Sequence, residues 1–336
     1  MNSPNHKIIL AGDIGGTKTL LRLAEIGNKV LAERRFDSHA YASLNEIVAE
    51  FLREGAAHPI ACACLGVAGP VEGGSAKITN LPWQIEAAAI SAQFDIPQVA
   101  LINDFQAVAY GIEALESHDL ATLQAGEPLH QGVRAVIGAG TGLGEGFMVW
   151  QESHYEALPS EGSHADFAPA DELQIELLRY LSRKYGHVSC ERLVSGPGLV
   201  DIFEFLCNRE ALDVSSALRV AMETGDPSAA ISRFALEDRG RDRLAVQALD
   251  LFVRIYGAEA GNLALKVLAR GGVSVAGGIA PNIMEKLKDG SFLRAFADKG
   301  RFAGLLGAIP VHVVLNPKVG LMGAARAAER MTALAR

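Results

Sequence analysis

The stretch Gly12-Asp13-Ile14-Gly15-Gly16-Thr17-Lys18-Thr19 follows an apolar run, Ile8-Ile9-Leu10-Ala11, and precedes another from Leu20 to Ile26. That order reads as strand, glycine turn, strand. Adjacent glycines let a backbone approach a bulky anion because no Cβ stands in the way. The N–H groups of such a turn can face phosphate oxygens. Asp13 could hold a hydrated Mg²⁺ beside those oxygens, and Thr17 offers a hydroxyl. The segment suggests a nucleotide-phosphate site; the alternative is an ordinary hairpin turn.

With 336 residues the chain exceeds the size at which one core usually keeps growing, so two lobes are expected. Hydrophobic residues make up 49% and charged residues 21%, a globular balance. The 35 glycines, many beside apolar runs, favour an α/β protein over a helical bundle. A net charge of −8 argues against a broad basic face for nucleic acid. The longest uncharged apolar stretch, Ala56 to Val71, contains His58, two prolines and two glycines, so it does not read as a membrane span. Met1 to Lys7 is short and polar with no apolar signal region behind it, which points to the cytoplasm. The four cysteines, Cys62, Cys64, Cys190 and Cys207, form no C-x-x-C pair. Cys62 and Cys64 fall two apart in a strand-like run and read as buried packing on one face.

The first third alternates strand and helix. Ile8 to Ile14, Thr19 to Ile26 and Val30 to Phe36 read as strands. Leu44 to Gly55 has helical spacing, with Leu44, Ile47, Val48, Phe51 and Leu52 on one face and Ser43 as N-cap. Ile60 to Val67 is a buried strand, Ile85 to Phe94 a helix, Val99 to Ile102 a strand, and a helix begins at Asp104. The expected order is βββαβαβα, with irregular structure near residue 75. The grammar restarts near residue 133. A strand from Ala135 to Ile137 meets Gly138-Ala139-Gly140-Thr141-Gly142-Leu143-Gly144, a second glycine turn, then a strand from Gly146 to Trp150. Glu172 to Arg270 reads as mostly helical, with Leu244 to Leu268 long and amphipathic. A strand then ends at Gly277-Gly278, a helix starts near Pro281, Pro310 to Leu315 is a strand, and Val319 to Ala335 is a helix. Lobes of 1–113 plus 317–336 and of 114–316 are expected, joined by paired crossings that suit hinge closure.

Three constellations carry chemistry. Leu101-Ile102-Asn103-Asp104 puts two polar residues where a strand meets a helix, the end at which α/β folds gather ligands. Asp104 could accept a proton from a hydroxyl that Asn103 orients; a helix cap is the other reading. Pro159-Ser160-Glu161-Gly162-Ser163-His164 puts Glu161 and His164 three apart in a loop. E-x-x-H is also the spacing of di-metal bundles, but those need two copies on helices. Polyol hydrogen bonding and a solvated loop are the other readings. Glu191, before Arg192, either enters a cleft as a further carboxylate or pairs with Arg192 or solvent. Together these acceptors and donors suit the hydroxyls of a sugar. Walker lysine, G-x-G-x-x-G after the first strand and serine–histidine–acid patterns do not occur.

On these residues the chain resembles the bacterial glucokinase family of the hexokinase–actin–chaperone ATPase superfamily. The likeness runs through GDIGGTKT at 12–19, GVAGPV at 66–71, ITNLPW at 78–83, INDFQAVAYGI at 102–112 and GAGTGLGEG at 138–146. It continues through LPSEGSHADFAP at 158–169, GHVSCERLVSGPGL at 186–199 and VAGGIAP at 275–281. The ND, E-x-x-H and GHVS-x-ER-x-x-SGPGL segments are specific to the family; the first glycine turn indicates only the superfamily. The resemblance implies a two-lobed α/β, actin-like ATPase (ribonuclease H-like) fold with a central nucleotide and sugar cleft. It implies transfer of the ATP γ-phosphoryl group to the 6-hydroxyl of glucose, the first step of glycolysis. Asp104 then stands as catalytic base, and Asn103, Asp104, Glu161, His164 and Glu191 as glucose contacts. Gly12, Asp13, Ile14, Gly15, Gly16 and Thr17 form the first phosphate loop, Gly140, Thr141 and Gly142 the second, and Gly277 and Gly278 the adenosine-side pair. Mg²⁺ accompanies ATP, with Asp13 holding it through water, and a homodimer is implied. Related sugar kinases that double as repressors carry a cysteine-rich zinc motif, which this sequence lacks. Ser160 and Ser163 stand where family members often have glycine.

Other readings remain open. A kinase for mannose or fructose would use the same donors and acceptors. A sugar-sensing regulator would bind glucose without turnover, and an actin-like filament protein would need the phosphate turns alone.

Overall fold

The computed structural model describes residues 7–27, 29–55, 59–78, 81–210, 214–237 and 242–334. Met1 to His6, Ala56 to His58, Thr79 and Asn80 of the 78–83 match, and Ala335 lie outside the described residues, as do two short stretches of the 172–270 helical region. The chain divides into two compact units: Met1–Ser117 with Gln151–Pro159 and Asn316–Arg336, and His118–Trp150 with Ser160–Leu315.

In the first unit, β1 (Ile8–Ile14), β2 (Lys18–Glu25) and β3 (Lys29–Asp37) form an antiparallel meander. Helix α1 (Leu44–Gly55) follows, then β4 (Ile60–Val67). Its face is the one that the 3–4 spacing predicts: Leu44, Ile47, Val48 and Phe51 are all buried, each worth about 1.5–3 kcal/mol of burial. Ser43 Oγ accepts from the Glu46 amide at 3.4 Å while Glu46 Oε2 accepts from Ala42 N at 3.0 Å, a capping arrangement. The irregular region near residue 75 is a small antiparallel sheet of β5 (Val71–Glu72), β6 (Ser75–Lys77) and β7 (Gln84–Glu86). Its three short strands carry too few residues to show a period. The third shortens the expected helix at its start, so α2 is Ala87–Phe94. β8 (Val99–Asn103) and α3 (Asp104–Ile112) complete the βα alternation. The sheet order is β3-β2-β1-β4-β8, with β1, β4 and β8 parallel. The last helix of the chain, Val319–Leu334, crosses α3 with their backbones touching. A Cβ on Gly111 would overlap the Val319 carbonyl, and one on Gly323 the Ala107 carbonyl.

In the second unit, strands β9 (Leu120–Gln124), β10 (Arg134–Ala139) and β11 (Leu143–Gln151) come first. β12 (His154–Ser160) follows, and its residues to Pro159 group with the first unit. There Gln106 Nε2 donates to Ala157 O at 2.8 Å and Tyr110 Oη to Glu156 Oε1 at 2.7 Å. Helices α4 (Glu172–Tyr185), α5 (Gly196–Glu210), α6 (Ser216–Thr224), α7 (Pro227–Leu236) and α8 (Arg243–Val267) bear out the helical reading of this region. After them come β13 (Gly272–Ala276), α9 (Ile279–Asn282), α10 (Met284–Lys288), α11 (Ser291–Ala297), α12 (Ala303–Gly307) and β14 (Val311–Val314). The last helix is α13. The strands of this unit run β11-β10-β13-β14-β9, with β10, β13 and β14 parallel and β11 antiparallel to β10. Each unit thus carries a glycine-turned hairpin whose first strand also pairs with a parallel strand. Tyr256, Phe252, Phe292 and Phe296 are fully buried at the centre of the second core.

Cys62 and Cys64 are buried as expected, and all four cysteines are free thiols. Burial pushes the Cys62 thiol up to about 11 and that of Cys64 to about 12. No helix among the described residues is long and apolar enough to cross a membrane.

Candidate active site

Strand register assembles the first unit's part of the site. Ile14 pairs with Val67, and Val67 with Asn103, so three carboxyl ends of parallel strands lie side by side. The turn Gly15-Gly16-Thr17 and the Asn103-Asp104 pair therefore lie at the same end of the sheet, on either side of β4, although nearly ninety residues separate them in the chain. The turn is tied down from below. Gly15 N donates to Lys18 O at 3.0 Å, Ser38 Oγ to Gly15 O at 2.9 Å, and Ser38 N to Thr17 O at 3.1 Å. Thr17 is exposed.

The glycines and apolar residue at the start of this segment play different parts. Gly12 is buried within β1, and a Cβ there would stand 2.6 Å from Leu65 Cδ2. Its bareness serves packing. Ile14 points into the core. Asp13 is half-buried, with its carboxyl against Gly320 at the first turn of α13. Burial raises its pKa, and the charge of Lys18 partly offsets that.

Asn103, a candidate site residue, is a helix cap. Its Oδ1 accepts from Phe105 N at 2.9 Å and Gln106 N at 3.2 Å, closing the first turn of α3. Its Nδ2 donates to Gly69 O at 3.2 Å, and the amide has a second hydrogen to offer. The cap reading is thus correct, and it fixes Asp104 at the helix start. Asp104 is half-buried and its Oδ1 accepts from its neighbour's amide, Phe105 N, at 2.9 Å. Gly66 lets α3 begin this close to β4: a Cβ there would come 2.8 Å from Ala107 Cβ.

The second unit brings together the other predicted residues. Gly138 on β10 pairs with Ala276 on β13, so the two glycine segments following these strands adjoin. Gly277 takes φ +83°, and a Cβ on it would overlap the Ala139 carbonyl. Gly140 and Gly278 instead have nothing within 4 Å of where a Cβ would stand. Both face a cavity of about 1250 Å³ that Thr141, Pro197, Asp226, Ser228 and Asn282 also line. Gly196 N donates to Gly140 O at 2.8 Å, which seats the start of α5 against the loop.

Glu191 pairs with neither Arg192 nor solvent alone. Its Oε2 accepts from Leu143 N at 3.0 Å, and Gly142 makes room for it, since a Cβ there would stand 2.6 Å away. The guanidinium of Arg192 instead lies 4.2 Å from the Tyr185 ring centroid. His164 lies between two carboxylates, its Nε2 3.6 Å from Glu161 Oε2 and its Nδ1 3.9 Å from Glu191 Oε1. Glu161, His164, Glu191 and the Gly140–Leu143 loop are therefore one cluster. Ser160 steadies the turn, its Oγ accepting from Gly162 N at 3.0 Å, and Ser163 is buried. No group of three or more His, Cys, Asp or Glu among the described residues is gathered to hold a metal.

Sequence reasoning missed three contacts here: Gly320 against Asp13, Leu143 N on Glu191, and Glu145 against Gly162, where an added Cβ would stand 2.3 Å from its Oε2. The first two are backbone approaches and leave no mark in residue type. The third left one, since Glu145 is a lone carboxylate in the apolar strand β11.

The glucokinase family model matches residues 10–331. A curated glucokinase from Nostoc sp. is 47% identical, covering 96% of this chain and 99% of its own. Among solved structures, a glucokinase from an Antarctic psychrotroph is 29% identical, with TM-score 0.82 over 96% of this chain and 99% of that one. A glucokinase from Balamuthia mandrillaris, crystallised with glucose, shares the fold at TM-score 0.81 and 22% identity, covering 98% of this chain and 95% of that one. The fold is that of the actin-like ATPases.

Proposed function

The chain belongs to the glucokinase family, and from that premise we propose that it moves the ATP γ-phosphoryl group to the 6-hydroxyl of glucose with Asp104 as general base. Membership makes it an ATP-dependent hexose kinase; the choice of glucose, the base and the place at the head of glycolysis are the proposal. The observation that carries it is the register Ile14–Val67–Asn103, which puts a half-buried carboxyl at the same sheet end as a glycine turn, one strand away. Phosphoryl transfer asks the protein mainly for positioning and charge stabilisation.

In this reading Asp104 takes the proton from the 6-hydroxyl as its oxygen attacks phosphorus. The free amide hydrogen of Asn103 orients the sugar. Glu161, His164 and Glu191 accept from or donate to its other hydroxyls. The N–H groups of Gly16 and Thr17 and of Thr141 and Gly142 face phosphate oxygens, while Gly15 N and Gly140 N close the turns by donating to Lys18 O and Gly142 O, and the cavity beside Gly278 takes the adenosine. Asp13 fits Mg²⁺ held through its water shell, because Mg²⁺ dehydrates reluctantly and needs only one or two carboxylates beside substrate phosphates. Bound there, Mg²⁺ would neutralise charge on the β- and γ-phosphoryl oxygens. The reading also includes a homodimer; sizing by light scattering should then return twice the 35.6 kDa chain mass.

A coupled ADP assay with glucose, mannose, fructose and N-acetylglucosamine tests the substrate. Glucose should give the highest kcat/KM, and a preference for another hexose would replace it. Glu191→Ala removes both a sugar acceptor and the partner of Leu143 N. A hydrogen bond to a charged group is worth about 1.5–3 kcal/mol, so the glucose KM should rise about tenfold or more. An unchanged KM would take Glu191 out of the sugar site.

A further inference from the structure

The turns that carry Glu161 to His164 and Cys190 to Arg192 rest on two buried acids. Glu145 on β11 is 1% exposed and Glu259 on α8 is 4% exposed. A Cβ on Gly162 would overlap Glu145 Oε2, so this acid lies directly against the backbone of the first turn. Cys190 Sγ, in the second turn, donates to Glu259 Oε2 at 3.2 Å. Each turn therefore stands on one member of the pair, and the Glu259 charge acts on Glu145.

The donors nearby are unequally shared. Glu259 Oε2 accepts from Asn262 Nδ2 at 2.9 Å as well as from Cys190, and Lys266 Nζ stands 3.5 Å from Glu259 Oε1. Glu145 Oε1 is buried with no donor, and Glu259 Oε1 has no hydrogen bond either. Two neighbouring carboxylates, both buried, cannot both ionise cheaply. One proton on Glu145 supplies the missing donor and leaves the charge on Glu259, where the lysine and the amide are. We propose that Glu145 and Glu259 share this proton, and that the pair positions the two sugar-facing turns so that glucose affinity falls when the proton leaves.

This inference rests on the glucose reading above and adds a control built into it. Burial first, and then the Glu259 charge, push Glu145 up to about 7, against an opposing pull from Lys266. Cys190 from the second turn and Lys266 from α8 touch Glu259, and the charges of the pair also reach Tyr256 on α8 and Lys299 after α11. None of these bring a second positive charge to Glu145 itself. Losing its proton would set a bare carboxylate near Glu259 and against the Gly162 backbone of the 161–164 turn. The sign for stability follows. The native state holds this proton more tightly than the unfolded chain, so the stabilisation is complete below the unfolded value of 4.5 and is lost as pH rises through about 7.

Isothermal titration of the whole protein with glucose, at about pH 6 and about pH 8.5, brackets the ionisation. The unaltered protein should bind at least about threefold more weakly at the higher pH. Glu145→Gln keeps the shape and a permanent donor, so its affinity should stay within about twofold across the range. Glu145→Ala should bind weakly at both values, which makes the rescue by glutamine specific to the hydrogen bond. An infrared band of a protonated carboxyl, present at the lower pH and lost in Glu145→Gln, reads the proton without any ligand. If Glu145→Gln follows the pH dependence of the parent, or the parent lacks the band, the inference fails. If the band is present but glucose is neither bound nor phosphorylated, it is the glucose reading that fails, and with it the role assigned to the pair.

Discussion

Asp104→Asn is expected to bind glucose within a few-fold of the parent and to lose about 10²–10⁴-fold in kcat, the range general-base catalysis supplies. The substitution keeps side-chain size and leaves the helix cap alone. That cap is made by Asn103, through Phe105 N and Gln106 N. Asn103 also holds the Gly69 carbonyl, so the edge of β8 stays in register with β4. What the variant loses is the ability to take a proton. Stopped-flow or steady-state turnover, with glucose affinity measured separately by titration, distinguishes the two. Turnover within a few-fold of the parent would remove Asp104 from the chemistry.

The second large effect concerns stability. Gly323→Ala places a methyl group where the Ala107 carbonyl already stands, at the crossing of α3 and α13. The obstacle is backbone, which cannot rotate away, so the helices must part. Overpacking of this kind costs about 3 kcal/mol at its upper range. Because α3 begins with Asp104, the same separation moves the carboxyl, and kcat should fall together with the melting temperature. Gly304→Ala on α12 is the control: nothing stands within 4 Å of the added Cβ. It should be neutral or slightly stabilising, as alanine is the better helix former by about 1 kcal/mol. A Gly323→Ala protein that melts with the parent would mean that the crossing is looser than the glycines indicate.

Much of this molecule is legible in residue order. Apolar spacing places α1 residue for residue, and the buried runs of β1 and β4 read as strands because parallel strands hide both faces. The short strands β5 to β7 do not show, since two or three residues carry no period. For the site, residue type announces Asn103, Asp104, Glu161, His164 and Glu191, because polar groups at strand and loop ends stand out from apolar surroundings. Residue type does not separate the uses of glycine. Gly12 and Gly277 are bare because protein fills the space, while Gly140 and Gly278 are bare facing a cavity.

The order of residues alone therefore determined the alternation of strands and helices, the two glycine turns and the identity of the polar candidates. These depend on local periodicity and on side-chain chemistry, which a linear chain already contains. Only the tertiary structure decided that Asn103 caps α3 while holding the Gly69 carbonyl, that Glu191 braces the second turn through Leu143 N, and that buried acids lie beneath Gly162 and Cys190. Such facts are distances between residues far apart in the chain. Strand register and backbone approach set them, and neither is written in the type of any single residue.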